Sequence, residues 1–198
     1  MTELGPELFE QLNHRSWGLS RARPEFGRGG LSPKDIEHIE SQLEATLPPD
    51  FRYLLLNLHD PSHVFFPWSN FSLKLYDETI SGIWEGIAFD IGEGFWMDRW
   101  GEKPDELEEA LAVAREDFDS WPTLLPIYGH RFLPATPCLP KNPVFSIMQT
   151  DIIFYGADLG DYLANEFLSS PVNLGNSEPV REIDVWSDFA QGRVTWPI

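Results

Sequence analysis

Cysteine is almost absent from this 198-residue chain, in which Cys138 is the single thiol. One cysteine cannot form an intramolecular disulfide, so the fold must be held together by its core. A chain of this length buries about 70% of the surface that its unfolded form exposes, which suffices for one stable domain. The 14 Phe, 8 Trp and 5 Tyr indicate that this core is aromatic.

Long hydrophobic runs are also missing from the sequence. No stretch approaches the roughly 18 apolar residues that a membrane span requires. Residues 1–10 carry three glutamates and no apolar run, which does not resemble a signal peptide. With the lone cysteine, these features predict a cytoplasmic protein that does not act at a membrane.

Positive charge is scarce, with 14 Lys and Arg against 32 Asp and Glu and a net charge of −18. Residues 1–30 hold four acids and four arginines, so the whole excess lies in residues 31–198. Such a charge repels nucleic acid and anionic lipid and attracts basic proteins. The alternative is that the acidity serves solubility alone, and composition leaves both readings open.

Recognisable catalytic motifs are absent too: there is no Gly-x-Ser-x-Gly elbow, phosphate loop or dinucleotide fingerprint. Cys138 lies between prolines without a histidine or helix start that would lower its pKa. His59 and His63 flank Asp60, but Pro61 disfavours a helix and the spacing supplies no further zinc ligands. The sequence therefore predicts no enzyme, metal, cofactor or small-molecule substrate. A hydrolase with an unrecognised carboxylate site is the remaining enzymatic alternative.

The first half of the chain alternates between helical and strand-like patterns. Ser32-Pro33 begins a capped helix, and a second helix begins near Pro49. Two-residue alternation of apolar side chains predicts strands at residues 71–76 and 87–91. A helix follows over residues 104–118. Because residues 1–30 show little periodicity, we predict a mobile lead-in there and one domain over residues 31–198.

The second half of the chain contains two hairpin signals. Gly129-His130 separates two short apolar runs, and residues 144–148 and 152–155 form a second pair. Asp158 can cap a following helix, and Trp186 lies in an apolar tail with three-residue spacing. Helices at both ends around consecutive hairpins predict an α+β fold with an antiparallel sheet.

Several phrases of the sequence resemble a known family. They are "DIEHIESQLEATLPPDFRYLLLNL", "FWMDRWGEKPDELEEAL", "LLPIYGHRFLP", "NPVFSIMQTDIIFYGADLGDYLANEF" and "IDVWSDF". Over residues 31–190 the chain is similar to the bacterial branch of the SUKH superfamily, the Smi/Knr-like domain. The resemblance implies a curved antiparallel sheet flanked by N-terminal and C-terminal helices, with no common catalytic residue.

The same resemblance implies that the protein works by binding another protein. Bacterial members are regarded as immunity proteins that bind and neutralise a cognate toxin of a polymorphic toxin system. With an acidic chain, that toxin would be basic, such as a nuclease. Fungal members imply the alternative, a regulatory or scaffolding domain with an endogenous protein partner.

One segment combines acidic and aromatic residues densely enough to be a candidate binding site. Its acids are interleaved with aromatic rings, whereas nucleic-acid stacking platforms combine such rings with basic residues. We predict that its charges contact the partner and that two tryptophans anchor it, most other rings being core. The predicted partner-binding residues are Glu85, Asp90, Glu93, Trp96, Asp98 and Trp100.

Overall fold

The computed structural model describes residues 4–15, 23–168 and 179–194. Seven helices lie in these ranges: α1 Pro6–His14, α2 Pro33–Leu43, α3 Pro49–Asn57, α4 Leu73–Gly92, α5 Leu107–Phe118, α6 Leu159–Leu168 and α7 Trp186–Ala190. The strands are β1 Glu25–Phe26, β2 Leu58–His59, β3 Leu124–Tyr128, β4 Arg131–Pro134, β5 Val144–Met148 and β6 Asp151–Gly156. The α+β class predicted from the sequence is confirmed. No helix in the described ranges is long and apolar enough to cross a membrane.

The central sheet has four antiparallel strands in the order β3-β4-β5-β6. Both predicted hairpins are present, one turning at Gly129-His130 and the other joining β5 to β6. A separate two-stranded antiparallel sheet pairs β1 with β2.

The outer edge of β3 is covered by the segment that leads into α4. The Phe66 N–H donates to the Ile127 carbonyl at 2.7 Å. The Trp68 indole N–H donates to the Pro126 carbonyl at 2.9 Å, and the Tyr76 hydroxyl to the Leu124 carbonyl at 3.0 Å. Because these contacts occupy the strand's outward carbonyls, this edge is closed to pairing with another strand.

Two hydrophobic cores lie on opposite faces of the sheet. Helices α1, α2, α3 and α6 pack on one face and form the first core, which includes Leu125 and Leu133. Helices α4, α5 and α7 pack on the other face and form the second core, which includes Phe132 and Phe145. Successive strand residues point to opposite faces, so the same strands serve both cores.

Helix starts follow the capping signals of the sequence. The Asp35 N–H donates to the Ser32 hydroxyl oxygen at 3.2 Å, and the Ser32 N–H donates to the Asp35 carboxylate at 2.8 Å. This reciprocal capping box begins α2. The Asp158 carboxylate accepts from the Asp161 N–H at 2.9 Å and caps α6 as predicted.

The two strands predicted within residues 71–91 are wrong, because α4 is a single helix of 20 residues. Its buried side chains include Tyr76, Ile83, Ile87 and Ile91, whose spacings of seven and four place them on one helical face. Ile87 and Ile91 also satisfy a two-residue alternation, but Phe89 between them points to solvent. The apparent strand pattern is thus two buried helical positions with an exposed aromatic residue between them.

The predicted domain boundary at residue 30 is not seen in the structure, because α1 packs into the first core together with residues that follow this position. Leu8, Phe9 and Leu12 are buried there, and β1 pairs with β2. The Arg15 guanidinium also donates to the Phe167 carbonyl at the end of α6. Helix α1 is too short to give a clear periodic signal. Residues 1–3 and 16–22 of the predicted lead-in lie outside the described residues.

Candidate protein-binding surface

The six predicted partner-binding residues lie on the second half of α4 and the segment that follows it, but not on one surface. Glu85, Glu93 and Asp98 are exposed. The other three, Asp90, Trp96 and Trp100, are buried. Burial therefore divides the set into surface charges and internal residues.

Asp90 is 5% exposed and serves as an internal hydrogen-bond acceptor. Its carboxylate accepts from the Thr150 N–H at 2.9 Å and from the Thr150 hydroxyl at 2.7 Å. One turn earlier, a Cβ at Gly86 would lie 3.0 Å from the Gln149 Cα. These contacts fix α4 against the β5–β6 turn, so Asp90 is corrected from a partner-facing charge to a structural link.

Trp96 and Trp100 are also corrected, since they belong to the second core. Their rings meet in a T-shaped contact with centroids 4.9 Å apart. The Trp96 indole N–H donates to the Gly101 carbonyl at 2.8 Å, and that of Trp100 to the Asp117 carboxylate at 2.9 Å. Both rings and both donors are satisfied internally, which leaves no anchor for a partner.

Negative charge is concentrated on α4, α5 and the segment between them. Residues 73–120 hold fourteen Asp and Glu against four Lys and Arg, a net charge of −10, whereas the remainder of the chain carries −8. Three of these acids form ion pairs: Glu78 with Lys74 at 3.6 Å, Asp117 with Arg99 at 3.0 Å, and Asp119 with Arg115 at 2.8 Å. Within the described residues, Glu85, Glu93 and Asp98 have no ion-pair partner inside 4 Å. Their charge is therefore available to a binding partner.

The charges of α4 oppose its helix dipole. Lys74 lies in its first turn, where anions are favoured, and Glu93 caps its C-terminus, where cations are favoured. Helix α5 has the opposite arrangement, with Glu108 and Glu109 in its first turn and Arg115 in its last. The acids at the start of α5 thus stabilise their own helix. Glu93 does not, which favours a role outside the fold.

A shallow groove of about 580 Å³ runs along the exposed face of α4. Its lining residues are Leu73, Lys74, Asp77, Glu78, Ser81 and Glu85. Three of them are acidic, so the groove is complementary to a lysine or arginine side chain. Asp77 and Glu78 were missed from the sequence because they fall after a segment interpreted as a strand.

Phe89 is a second feature that the sequence interpretation missed. Its side chain is 58% exposed, although it was grouped with rings expected mostly in the core. Glu85 precedes it by one turn and Glu93 follows it by one turn, so all three share the outward face of α4. Interpreting this segment with a helical period, instead of a two-residue alternation, would have placed Glu85, Phe89 and Glu93 on one face.

The segment His59–His63 is ordered by its carboxylate, and Cys138 makes one contact to the backbone. Asp60, between His59 and His63, accepts from the Ser62 hydroxyl at 2.9 Å and from the Phe65 N–H at 2.8 Å, which orders the turn. In the described parts of the chain, no three His, Cys, Asp or Glu residues are grouped to hold a metal. Cys138 is exposed, and its thiol donates to the Leu47 carbonyl at 3.5 Å.

One pair of carboxylates away from α4 is buried enough to be perturbed. Burial raises the pKa of Asp50 and of Asp158, and the charge of Asp50 raises that of Asp158 further. Asp50 accepts from the backbone N–H groups of Phe51 and Lys141, and Asp158 caps α6. Neither residue lines the α4 groove. Neither lines a second cavity, which lies between α1, β1 and α3. Asp158 therefore caps a helix, whereas Asp50 joins the start of α3 to the segment before β5, and the pair lies outside both of these cavities.

No protein-family model, curated protein or solved structure matches this chain. Function is therefore inferred from the surface chemistry of α4 and α5.

Proposed function

We propose that this protein is a binding module for a basic protein, and that it neutralises a toxin, as the resemblance of its sequence to bacterial SUKH immunity proteins implies. The observation that carries this proposal is the net charge of −10 on residues 73–120. Three exposed acids that have no ion-pair partner among the described residues, Glu85, Glu93 and Asp98, add specific contacts to that field.

The charge acts first on the rate of association. Exposed charges interact over a Debye length of about 8 Å at physiological salt, and a helix of 20 residues spans about 30 Å. The exposed acids Glu78, Glu85 and Glu93 lie about 10 to 12 Å apart along one face of α4 and present negative charge to an approaching basic surface. Such steering raises association rates by about 10- to 1,000-fold at low salt.

The first partner to test is the protein encoded by the reading frame next to the gene of this protein. Its binding kinetics would be measured at about 50 and 500 mM salt. We expect E85Q/E93Q/D98N to slow association by about tenfold at the lower salt and to flatten its salt dependence. The matched control is E7Q/E37Q/E44Q, which removes three exposed acids from α1 and from α2 and its C-cap. Association that is insensitive to salt would show that the acidity serves solubility alone, and equal slowing by both variants would show that the net charge, and not the surface of α4, steers the partner.

Neutralisation requires more than binding. Co-expression of this protein should abolish growth inhibition by the neighbouring product, and the triple variant should protect less at equal expression. If the neighbouring product does not bind and an endogenous basic protein does, the regulatory or scaffolding alternative is the correct one.

A further inference from the structure

Three side-chain atoms in the described part of the chain are buried without a hydrogen-bond partner, and all three belong to one cluster. They are Arg131 Nε, Tyr162 Oη and Glu166 Oε2. Each atom gives up its hydrogen bonds to water when the chain folds, so its burial without a partner is unfavourable. Native proteins leave few such groups unpaired, and three in one place indicate a partner that they share.

The fold brings these atoms together from α6 and β4. Tyr162 and Glu166 are four residues apart on α6 and therefore lie on the same face of this helix. Arg131 is the first residue of β4, and its Nε lies 3.5 Å from Glu166 Oε2. Burial raises the pKa of the Tyr162 hydroxyl, the charge of Glu166 raises it further, and the charge of Arg131 lowers it. The hydroxyl is thus within electrostatic range of both charged groups.

Other contacts fix the Arg131 guanidinium without pairing its Nε. The guanidinium donates to the Ser146 hydroxyl oxygen at 3.0 Å and stacks 3.7 Å from the centre of the Tyr155 ring. Its separation of 3.5 Å from Glu166 Oε2 is longer than the about 2.7–2.9 Å of a charge-assisted hydrogen bond. The two charges attract each other, but the N–H and the carboxylate oxygen each remain able to bind a third group.

The three atoms define the chemistry of that third group. Arg131 Nε and the Tyr162 hydroxyl each offer a donor, whereas Glu166 Oε2 offers an acceptor. The guanidinium repels a metal cation and the carboxylate repels an anion, so the group that fits is neutral. It must accept two hydrogen bonds and donate one. Water does both, and a buried water typically makes about three hydrogen bonds to groups that are otherwise unpaired.

We propose that one internal water molecule is bound between Arg131, Tyr162 and Glu166. It accepts from the Arg131 N–H and the Tyr162 hydroxyl and donates to the Glu166 carboxylate. This water joins α6 to β4 where the ion pair makes no hydrogen bond of its own. The site lies on the side of the sheet that carries the first core, so it is independent of the function proposed for α4.

Tyr162→Phe tests the proposal, because it removes the hydroxyl and leaves the ring. We expect this variant to lower the midpoint of thermal unfolding by about 2–4 °C, since one hydrogen bond to the bound water is lost. Tyr76→Phe is the matched control, because the Tyr76 hydroxyl is buried and donates directly to the Leu124 carbonyl at 3.0 Å. It should lower the midpoint by a similar amount. An unchanged or raised midpoint for Tyr162→Phe would show that this hydroxyl is unpaired in the folded protein and would overturn the proposal.

A high-resolution crystal structure of the native protein supplies the second readout, because a direct bond from Tyr162 to Glu166 would also make Tyr162→Phe destabilising. We expect electron density for one water molecule within hydrogen-bond distance of Arg131 Nε, Tyr162 Oη and Glu166 Oε2. A direct hydrogen bond between Tyr162 and Glu166 without this density would show that the water site is wrong. Density with the anomalous signal of a chloride ion would contradict the argument from charge.

Discussion

The two cores of this protein differ in how they use aromatic residues. The first core is built from Leu, Ile and Phe, with Trp68 as its tryptophan among the described buried residues. The second contains four buried tryptophans: Trp96, Trp100, Trp121 and Trp186. Each of these indole N–H groups donates a hydrogen bond within the fold. A tryptophan-rich core therefore requires its own polar acceptors, as buried donors cannot be left unpaired.

Asp117 shows how the second core supplies those acceptors. Its carboxylate accepts from the indole groups of Trp100 and Trp121 at 2.9 and 2.8 Å, and it pairs with Arg99 at 3.0 Å. One side chain thus joins α5 to the segments before and after it. The second core combines this internal network with Glu93 on the surface above it, an exposed carboxylate at the end of α4 where the helix dipole favours cations.

The largest expected effect separates the buried aromatic residues of the second core from an exposed aromatic residue on the adjoining surface of α4. Trp96→Ala and Trp100→Ala should each lower the free energy of unfolding by about 3–5 kcal/mol, because each leaves a cavity in the core. Phe89→Ala, at an exposed position, should change it by less than about 0.5 kcal/mol. Urea denaturation followed by far-UV circular dichroism measures all three. A loss below about 1 kcal/mol for Trp96→Ala would restore that ring as a surface anchor.

The next effect tests the side of the sheet that carries the first core, where an ion pair links α6 to the sheet. Arg131 lies 3.5 Å from Glu166, with side chains 12% and 18% exposed, and its guanidinium stacks 3.7 Å from the Tyr155 ring centre. Glu166→Ala should destabilise the fold by about 3 kcal/mol, because it leaves a buried charge without its partner.

The control for that prediction removes both charges together. Arg131→Met with Glu166→Leu should lie within about 1 kcal/mol of the native protein, since apolar residues of similar size can replace a buried pair. If the double variant is as unstable as Glu166→Ala, then hydrogen bonds such as Arg131 to Ser146, and not the ion pair, hold this region.

A smaller effect is expected at Asp90, which separates two acids of the same helix. Asp90→Ala should cost about 2 kcal/mol, because the Thr150 N–H and hydroxyl lose their acceptor in a buried site. Glu85→Ala, five residues earlier and exposed, should change stability by less than about 0.5 kcal/mol. Chemical denaturation of the two variants side by side gives the difference, and equal values would mean that the Thr150 contact contributes nothing measurable.

Local chemistry explains which parts of the fold could be predicted from the sequence. The capping box at Ser32, the hairpin at Gly129-His130 and the cap at Asp158 each depend on residues close in the chain, and all three are confirmed. The segment of α4 was predicted to form strands because buried residues such as Ile87 and Ile91, which are four residues apart, also fit a two-residue alternation.

The candidate site was harder to predict than the fold, because contacts with residues distant in the sequence decide which of its side chains are buried and which are exposed. Asp90 and Glu93 are three residues apart and chemically alike. Thr150, sixty residues away, makes Asp90 an internal acceptor, whereas in the part of the chain that the structure describes no such contact is made to the Glu93 carboxylate. Trp100 is likewise internal because Asp117 accepts its indole N–H from a different helix. Composition could locate the segment that is rich in acidic and aromatic residues. It could not show which of these residues lie in the core and which lie on the surface.

The smallest expected effect tests whether the surface of α4 is kept for function at the expense of stability. Glu93→Gln removes a negative charge from the C-terminal end of the helix dipole and should stabilise the fold by about 0.3–1 kcal/mol at low salt. Glu108→Gln, in the first turn of α5, should destabilise it by a similar amount because there the carboxylate faces the favourable end. Thermal denaturation at low and high salt checks both, since salt should reduce each difference. A stabilising Glu93→Gln that also slows association with the basic partner would tie the unfavourable charge to binding. If Glu93→Gln instead destabilises the protein, Glu93 has a structural partner that opposes the dipole term, and its charge is explained without a binding role.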